Sequence, residues 1–189
     1  MNKPKIGIFT GSLRKESFCK KTARVISGML NDSFDIKSME IGNLVIFNQD
    51  YDDEDRPPAE WQKFREEVKS LDGFLFVTPE YNRSFPPVLK NALDIASRPY
   101  GQNVWSGKPG AVISVTPGKL GAFGANQQLR QTLMFLNIFL MLQPEAYIGD
   151  AASLFDEKGE LINEGTKKFL QDYADEFVRW VKKFTEKKV

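Results

Sequence analysis

The sequence predicts an α/β fold in which a five-stranded parallel sheet lies between two layers of helices. Three observations lead there. Short apolar runs, IGIFT at Ile6–Thr10, GFLFVT at Gly73–Thr78 and AVISVT at Ala111–Thr116, read as strands buried on both faces. Between them lie segments whose apolar residues recur three and four apart, the pattern of helices with one buried face. Each strand opens into a loop of Gly, Pro and hydroxyl residues before the next helix begins. Strands of this kind alternating with such helices require a sheet covered on both sides.

The elements follow in order. The strand at Ile6–Thr10 ends at Gly11, and from Ser17 a helix places Phe18, Thr22, Val25, Ile26, Met29 and Leu30 inward. Phe34–Met39 alternates as a second strand, and acidic Asp50–Asp55 reads as a solvated turn. Pro57-Pro58 opens a helix through about Ser70. The strand at Gly73–Thr78 leads through a Pro-rich loop to a helix at Pro87–Ser97. The strand at Ala111–Thr116 leads to a fourth helix from Ala122 to about Leu142, and Glu145–Gly149 is the last strand. A closing helix carries Phe169, Tyr173, Phe177, Trp180 and Phe184 on one face. Five strand–helix units fit the flavodoxin-like three-layer sandwich, strand order 2-1-3-4-5, in which ligands bind beyond the carboxyl ends of the strands. No linker or repeat divides residues 1–189, so one domain is expected.

Composition narrows the chemistry. Lys plus Arg is 26 and Asp plus Glu 25, so the net charge of +1 draws the chain neither to nucleic acid nor to an anionic membrane. No stretch approaches the roughly 20 apolar residues of a membrane span, and Met1–Thr10 lacks a signal-peptide pattern, so a cytoplasmic protein is expected. A lone cysteine, Cys19, supplies neither an internal disulfide nor a multi-cysteine metal site, and no metal ligands are expected. The chain contains no histidine, which removes His-based triads, HExxH zinc sites and a His general base. The chemistry must come from a bound cofactor or from carboxylates and hydroxyls.

Three loops lie where such sheets bind ligands. Thr10–Ser17 offers hydroxyls, Arg14 and the N–H groups of a helix start, which together suit a phosphate monoester. It matches neither GxGxxG nor GxxxxGK[ST], and a plain turn with Ser17 as N-cap is the competing reading. Thr78–Pro87 holds Tyr81 and Asn82 between prolines, fit to line a flat heteroaromatic ring or simply to cover the core. Thr116–Ala122 is small enough for close approach of a ring.

Together the loops resemble those of the NAD(P)H-dependent FMN reductase family. Gly11-Ser12-Leu13-Arg14-Lys15 with Ser17-Phe18 is similar to its phosphate loop. Pro79-Glu80-Tyr81-Asn82, with Ser84, Pro86, Leu89-Lys90-Asn91-Ala92, Asp94 and Ser97-Arg98, resembles its strongest signature. Gly118-x-x-Gly121-Ala122 and Leu129-Arg130 also match, and the nearest branch is the quinone and chromate reductases. The resemblance runs from Lys5 to about Glu145.

It implies non-covalent FMN, with NADPH or NADH as donor and a small-molecule acceptor such as a quinone, azo dye, chromate or free flavin. Ser12, Arg14, Ser17, Phe18 and Cys19 would hold the phosphate; Pro79, Glu80, Tyr81, Asn82 and Thr116 would border the ring; Asn82 and Arg98 would meet the acceptor. It also implies a homodimer or homotetramer, in keeping with the apolar Met134, Phe135, Ile138, Phe139 and Met141 of the fourth helix. Hydride transfer borne by a flavin needs no histidine and no catalytic side chain. Four positions depart from the family: Glu16 for Gly, Cys19 for Asn, Pro87 for Gly and Ile95 for Trp. A flavodoxin-like electron carrier and an interaction module without flavin are the alternatives; the first is commonly strongly acidic, which +1 does not match.

Overall fold

The computed structural model describes residues 3–186. In chain order it contains β1 (Lys5–Thr10), α1 (Phe18–Leu30), β2 (Asp35–Met39), α2 (Asp50–Asp53), α3 (Ala59–Lys69), β3 (Gly73–Thr78) and α4 (Pro87–Ala96). There follow β4 (Pro109–Val115), α5 (Phe123–Phe135), β5 (Phe139–Leu140), β6 (Ala146–Ile148) and α6 (Glu164–Thr185). The sheet runs β2-β1-β3-β4-β5, with β6 also paired to β4, and every pairing is parallel.

Period-two alternation sends neighbouring strand residues to opposite faces. Ile6 and Ile8 of β1, Leu75 and Val77 of β3, and Ala111, Ile113 and Val115 of β4 pack with Ile26, Tyr173 and Phe177 of α1 and α6. Phe9, Phe74, Phe76 and Val112 face the other way, toward α3, α4 and α5. There Trp105 is wholly buried among Phe9, Phe64, Phe74 and Phe76, with ring centroids 5.0–6.4 Å away. Ile95 is buried in this same layer.

The expected helix from Ala122 to Leu142 is shorter. Asn137 takes the left-handed conformation (φ 61°), Ile138 N–H donates to Leu133 O, and Asn137 N–H donates to Met134 O. This is a Schellman stop with Asn where Gly is usual, and Ile138 and Leu133 supply its apolar contact. The apolar run read as helix is therefore a helix end followed by β5. β5 pairs Pro109 and Gly110 at the start of β4, and β6 pairs Ile113–Val115 at its end, so two pieces fill the fifth strand position. Ile138 and Met141 are buried, whereas Met134 and Phe135 stay exposed.

The acidic stretch also differs from expectation. It contains a short helix, α2, and its Asp52 accepts two hydrogen bonds from the Arg65 guanidinium (2.8 and 2.7 Å). The side chains of this pair are only 5% and 11% exposed. Arg65 Nε donates to Ile95 O as well, so one guanidinium ties α2 and α3 to the end of α4.

Candidate functional site

Because the strands are parallel, the loops after β1, β3 and β4 leave the sheet at one edge. The first loop begins at Gly11, whose N–H donates to Val77 O. A β-carbon at Gly11 would stand 2.6 Å from the end of the Leu89 side chain and 3.1 Å from Pro79, so glycine lets this loop lie against the second without moving either. From Ser12 to Cys19 the backbone N–H groups make no close hydrogen bond to another backbone group, apart from the turn over Lys15–Glu16 that brings Ser17 N–H toward Arg14 O. The next, Lys20 N–H, donates to Ser17 Oγ, which makes Ser17 the N-cap of α1. Ser12 and Ser17 are buried, while Arg14 is exposed and has no ion pair among the described residues.

A run of free amides at a helix start, with a buried hydroxyl and an uncommitted guanidinium, is the donor set a phosphate dianion requires. FMN's phosphate therefore fits. The departure at Glu16 does not spoil it: that carboxylate is exposed and lies 3.9 Å from Lys21 Nζ. Phe18 stacks on Phe155 at 6.1 Å, so its ring packs while its amide serves the helix start. Cys19 is 2% exposed in the core, and burial pushes its thiol up to about 12. Its thiol lies buried beside Ser17 and is closed to an anion.

The second loop is a miniature hairpin. Tyr81 and Ser84 exchange both backbone hydrogen bonds (2.8 and 3.0 Å), and the two residues between them, Asn82 and Arg83, both have positive φ (50° and 70°). This is the backbone of a two-residue primed turn, with arginine where glycine is commoner. Tyr81 and Asn82 are exposed at its tip. Glu80 turns away from the tip: Ala125 N–H donates to its Oε2 (3.0 Å), and Arg83 pairs with its Oε1 (3.5 Å).

In the third loop Gly118 N–H donates to Thr116 Oγ1, and Gly121 and Ala122 both adopt positive φ (60°). A side chain at Gly121 would strike the Tyr147 backbone, so the loop is pressed against β6. Beneath it Ser114 Oγ donates to Gly121 O (2.6 Å) and accepts from Asn126 Nδ2 (3.1 Å). Tyr147, whose hydroxyl accepts from Gln127 and whose pKa is raised chiefly by burial and then by Glu145, closes that side.

Thus Ser12, Arg14, Ser17, Pro79, Tyr81, Asn82 and Thr116 share one edge. Arg98 does not join them. α4 runs back along the sheet, so Arg98, just past its end, lies at the opposite edge beside Lys108 and Gln102. Within one chain the structure does not bring Arg98 to the other expected site residues. The capping role of Glu80 and the Ser114–Asn126 pair went unread in the sequence. The signal for the first was there: Ala122 is a poor N-cap, so α5 needed an acceptor from elsewhere.

A doubly wound sheet with a phosphate cradle after β1 and two stiff loops beside it defines a flavodoxin-like flavin mononucleotide protein. The chain belongs to the NADPH-dependent FMN reductase family, whose sequence profile matches residues 4–153. Its chemistry is that of an oxidoreductase using FMN and a reduced nicotinamide nucleotide. It is 54% identical over 177 residues to a quinone reductase of Pseudomonas putida, covering 94% of each chain. It is 44% identical to a 2-hydroxy-1,4-benzoquinone reductase of a Burkholderia species, covering 94% of this chain and 96% of that one. Among solved structures, the flavoenzyme NAD(P)H:(acceptor) oxidoreductase FerB of Paracoccus denitrificans superposes with a TM-score of 0.89 at 38% identity. That match covers 96% of this chain and 98% of that one.

Proposed function

We propose that the chain works in the cytoplasm as a single FMN-binding domain that oxidises NADPH or NADH and reduces a small acceptor, a quinone foremost. Azo compounds, chromate and free flavin are further acceptors of the same open kind. The observation that carries this reading is the loop from Ser12 to Cys19, most of whose amides make no close backbone hydrogen bond, with Arg14 beside it. The similarity to quinone reductases supports the choice of acceptor.

FMN, when bound, would supply the hydride and electron-transfer chemistry. The chain's part is placement. Ser12, Arg14, Ser17 and the amides of Phe18 and Cys19 hold the phosphate. Pro79, Tyr81, Asn82 and Thr116 border the ring, and Glu80 secures that border by capping α5. Tyr81 and Asn82 are themselves exposed, so this border would be open to a nicotinamide or an acceptor. Asn82 offers the acceptor an amide. No side chain is required to move a proton in the hydride step, which suits a chain without histidine.

We also propose a homodimer or homotetramer. A groove of about 920 Å³ runs beside the second loop between α4 and α5, with Ile46, Tyr81, Phe85, Pro87 and Thr132 among its walls. Gln128, Gln131 and Thr132 share one face of α5, and Phe135, 90% exposed, prolongs that face. A second copy seated there would bring the flavin sites to the subunit boundary.

The deciding experiment is an absorbance spectrum of the purified protein with FMN, before and after anaerobic NADPH or NADH. Bound flavin that bleaches rapidly with either nucleotide, and recovers on adding a benzoquinone, supports the reductase. Flavin that binds without bleaching would make the chain an electron carrier. Failure to bind flavin would overturn both.

A further inference from the structure

The hairpin at Tyr81–Ser84 is joined to α5 by contacts that the phosphate loop and the ring-bordering side chains do not explain. Ala125 N–H donates to Glu80 Oε2 (3.0 Å), Gln128 Nε2 donates to Arg83 O (3.2 Å), and Arg83 Nη1 lies 3.5 Å from Glu80 Oε1. Gly124 lies between them. A β-carbon built on Gly124 would stand 3.0 Å from both Arg83 O and Glu80 Oε2. One helix face thus carries a carboxylate-accepting amide, a bare glycine and an amide side chain, each matched to the hairpin.

We propose that Gly124 and Gln128 of α5, acting through Glu80, are positioning residues that set the height and angle of the hairpin over the flavin-binding edge. The physical case has two parts. A two-residue turn with Arg83 in the left-handed region is strained, because only glycine adopts that conformation freely, so outside contacts must hold it. The helix start supplies them: α5 has no side-chain cap of its own, and an anion at its N-terminus is favoured by the unpaired amides and the helix dipole. Glu80 answers both needs. Gly124 fixes how near the hairpin comes, since any side chain there pushes Arg83 O outward by a few tenths of an ångström.

This inference rests on the FMN reading only for its consequence at the flavin, so the test separates the two. In FMN-free protein, hydrogen exchange of the Tyr81 and Ser84 amides reports the hairpin itself. Gly124→Ala is expected to speed that exchange about tenfold while the Phe76 amide in β3 is unchanged. Its melting temperature is expected to stay level or rise, because alanine favours helix over glycine. With FMN added, the dissociation constant by fluorescence quenching is expected to rise about fivefold or more.

Gln128→Ala should act in the same direction. Glu80→Ala should do so more strongly, and Glu80→Gln, which keeps an acceptor for Ala125 N–H, should recover part of the loss. Unchanged exchange in Gly124→Ala would overturn the latch. Faster exchange with unaltered FMN affinity would overturn its role in positioning. A wild-type protein that protects both amides yet binds no FMN would overturn the cofactor reading and the positioning claim while leaving the latch standing.

Discussion

Arg14 and Cys19 lie five residues apart at the start of α1 and answer to opposite environments. Arg14 is exposed and without an ion-pair partner among the described residues, so its guanidinium is available to a phosphate. Arg14→Ala is expected to weaken FMN binding roughly tenfold or more, the loss of a charge-assisted contact, without changing the melting temperature. Fluorescence titration and a thermal melt check both halves. Cys19 is sealed in the core, where burial holds its thiol protonated, with a pKa of about 12 against the ordinary 9.0. The folded state therefore keeps the proton more tightly than the unfolded chain. The resulting stability is full below about pH 9 and is lost as pH rises toward 12. Urea midpoints measured upward from pH 7 should fall past about pH 9 in the wild type, and less steeply in Cys19→Ala, where the Tyr173 and Tyr147 hydroxyls, also raised by burial, still cost stability as pH rises. The same burial predicts a thiol that reacts with a disulfide reagent at pH 8 only after unfolding.

At the scale of elements, the Asp52–Arg65 pair shows how a segment that reads as solvated becomes structural. Arg65 faces Asp52 bidentately, donates to the last turn of α4, and lies 5.5 Å over the Trp61 ring. Asn91 holds the preceding stretch: its Nδ2 donates to Leu44 O and its Oδ1 accepts from Phe47 N–H. Together they fasten residues 44–53 along α3 and α4, forming one wall of the groove. Arg65→Ala would leave the Asp52 carboxylate buried without its partner, at a cost of about 3 kcal/mol. For a domain of this size that corresponds to a fall in melting temperature of roughly 6–12 °C, readable by calorimetry. Removing both charges together, as in Asp52→Leu with Arg65→Met, should recover most of it.

For the whole molecule, several of the exposed apolar side chains lie on or beside α5. Phe123, Met134 and Phe135 are 52%, 67% and 90% exposed, and Ile46 across the groove is 70% exposed. Phe135→Glu is expected to shift the chain toward monomer in sedimentation velocity while its secondary structure, by circular dichroism, stays intact. A wild type that sediments as a monomer would overturn the proposed assembly, and an unchanged coefficient in the variant would overturn this contact. The charge balance does not oppose self-association, since +1 gives little long-range repulsion between copies.

The sequence by itself determined the sheet, its order and its ligand-binding edge, because continuous apolar strands and three-to-four-residue helical spacing are local signals. It also marked the loop after β1 as a candidate anion site, since Ser12, Arg14 and Ser17 lie within one turn and one helix start, with a plain N-capped turn as the competing reading. What only the tertiary structure decided are relations across distance. Asn137 ends α5 because Ile138 can close on Leu133 and the chain can then pair with β4, a competition that the apolar run through Met141 conceals. Arg98 ends at the far edge because a helix after a parallel strand must return along the sheet, whatever motif it carries. Glu80 serves α5 rather than standing free beside the ring because a helix start 45 residues later lacks an acceptor. Pattern along the chain reveals which face a residue takes; which distant group needs its hydrogen bond is known only when the elements are packed together.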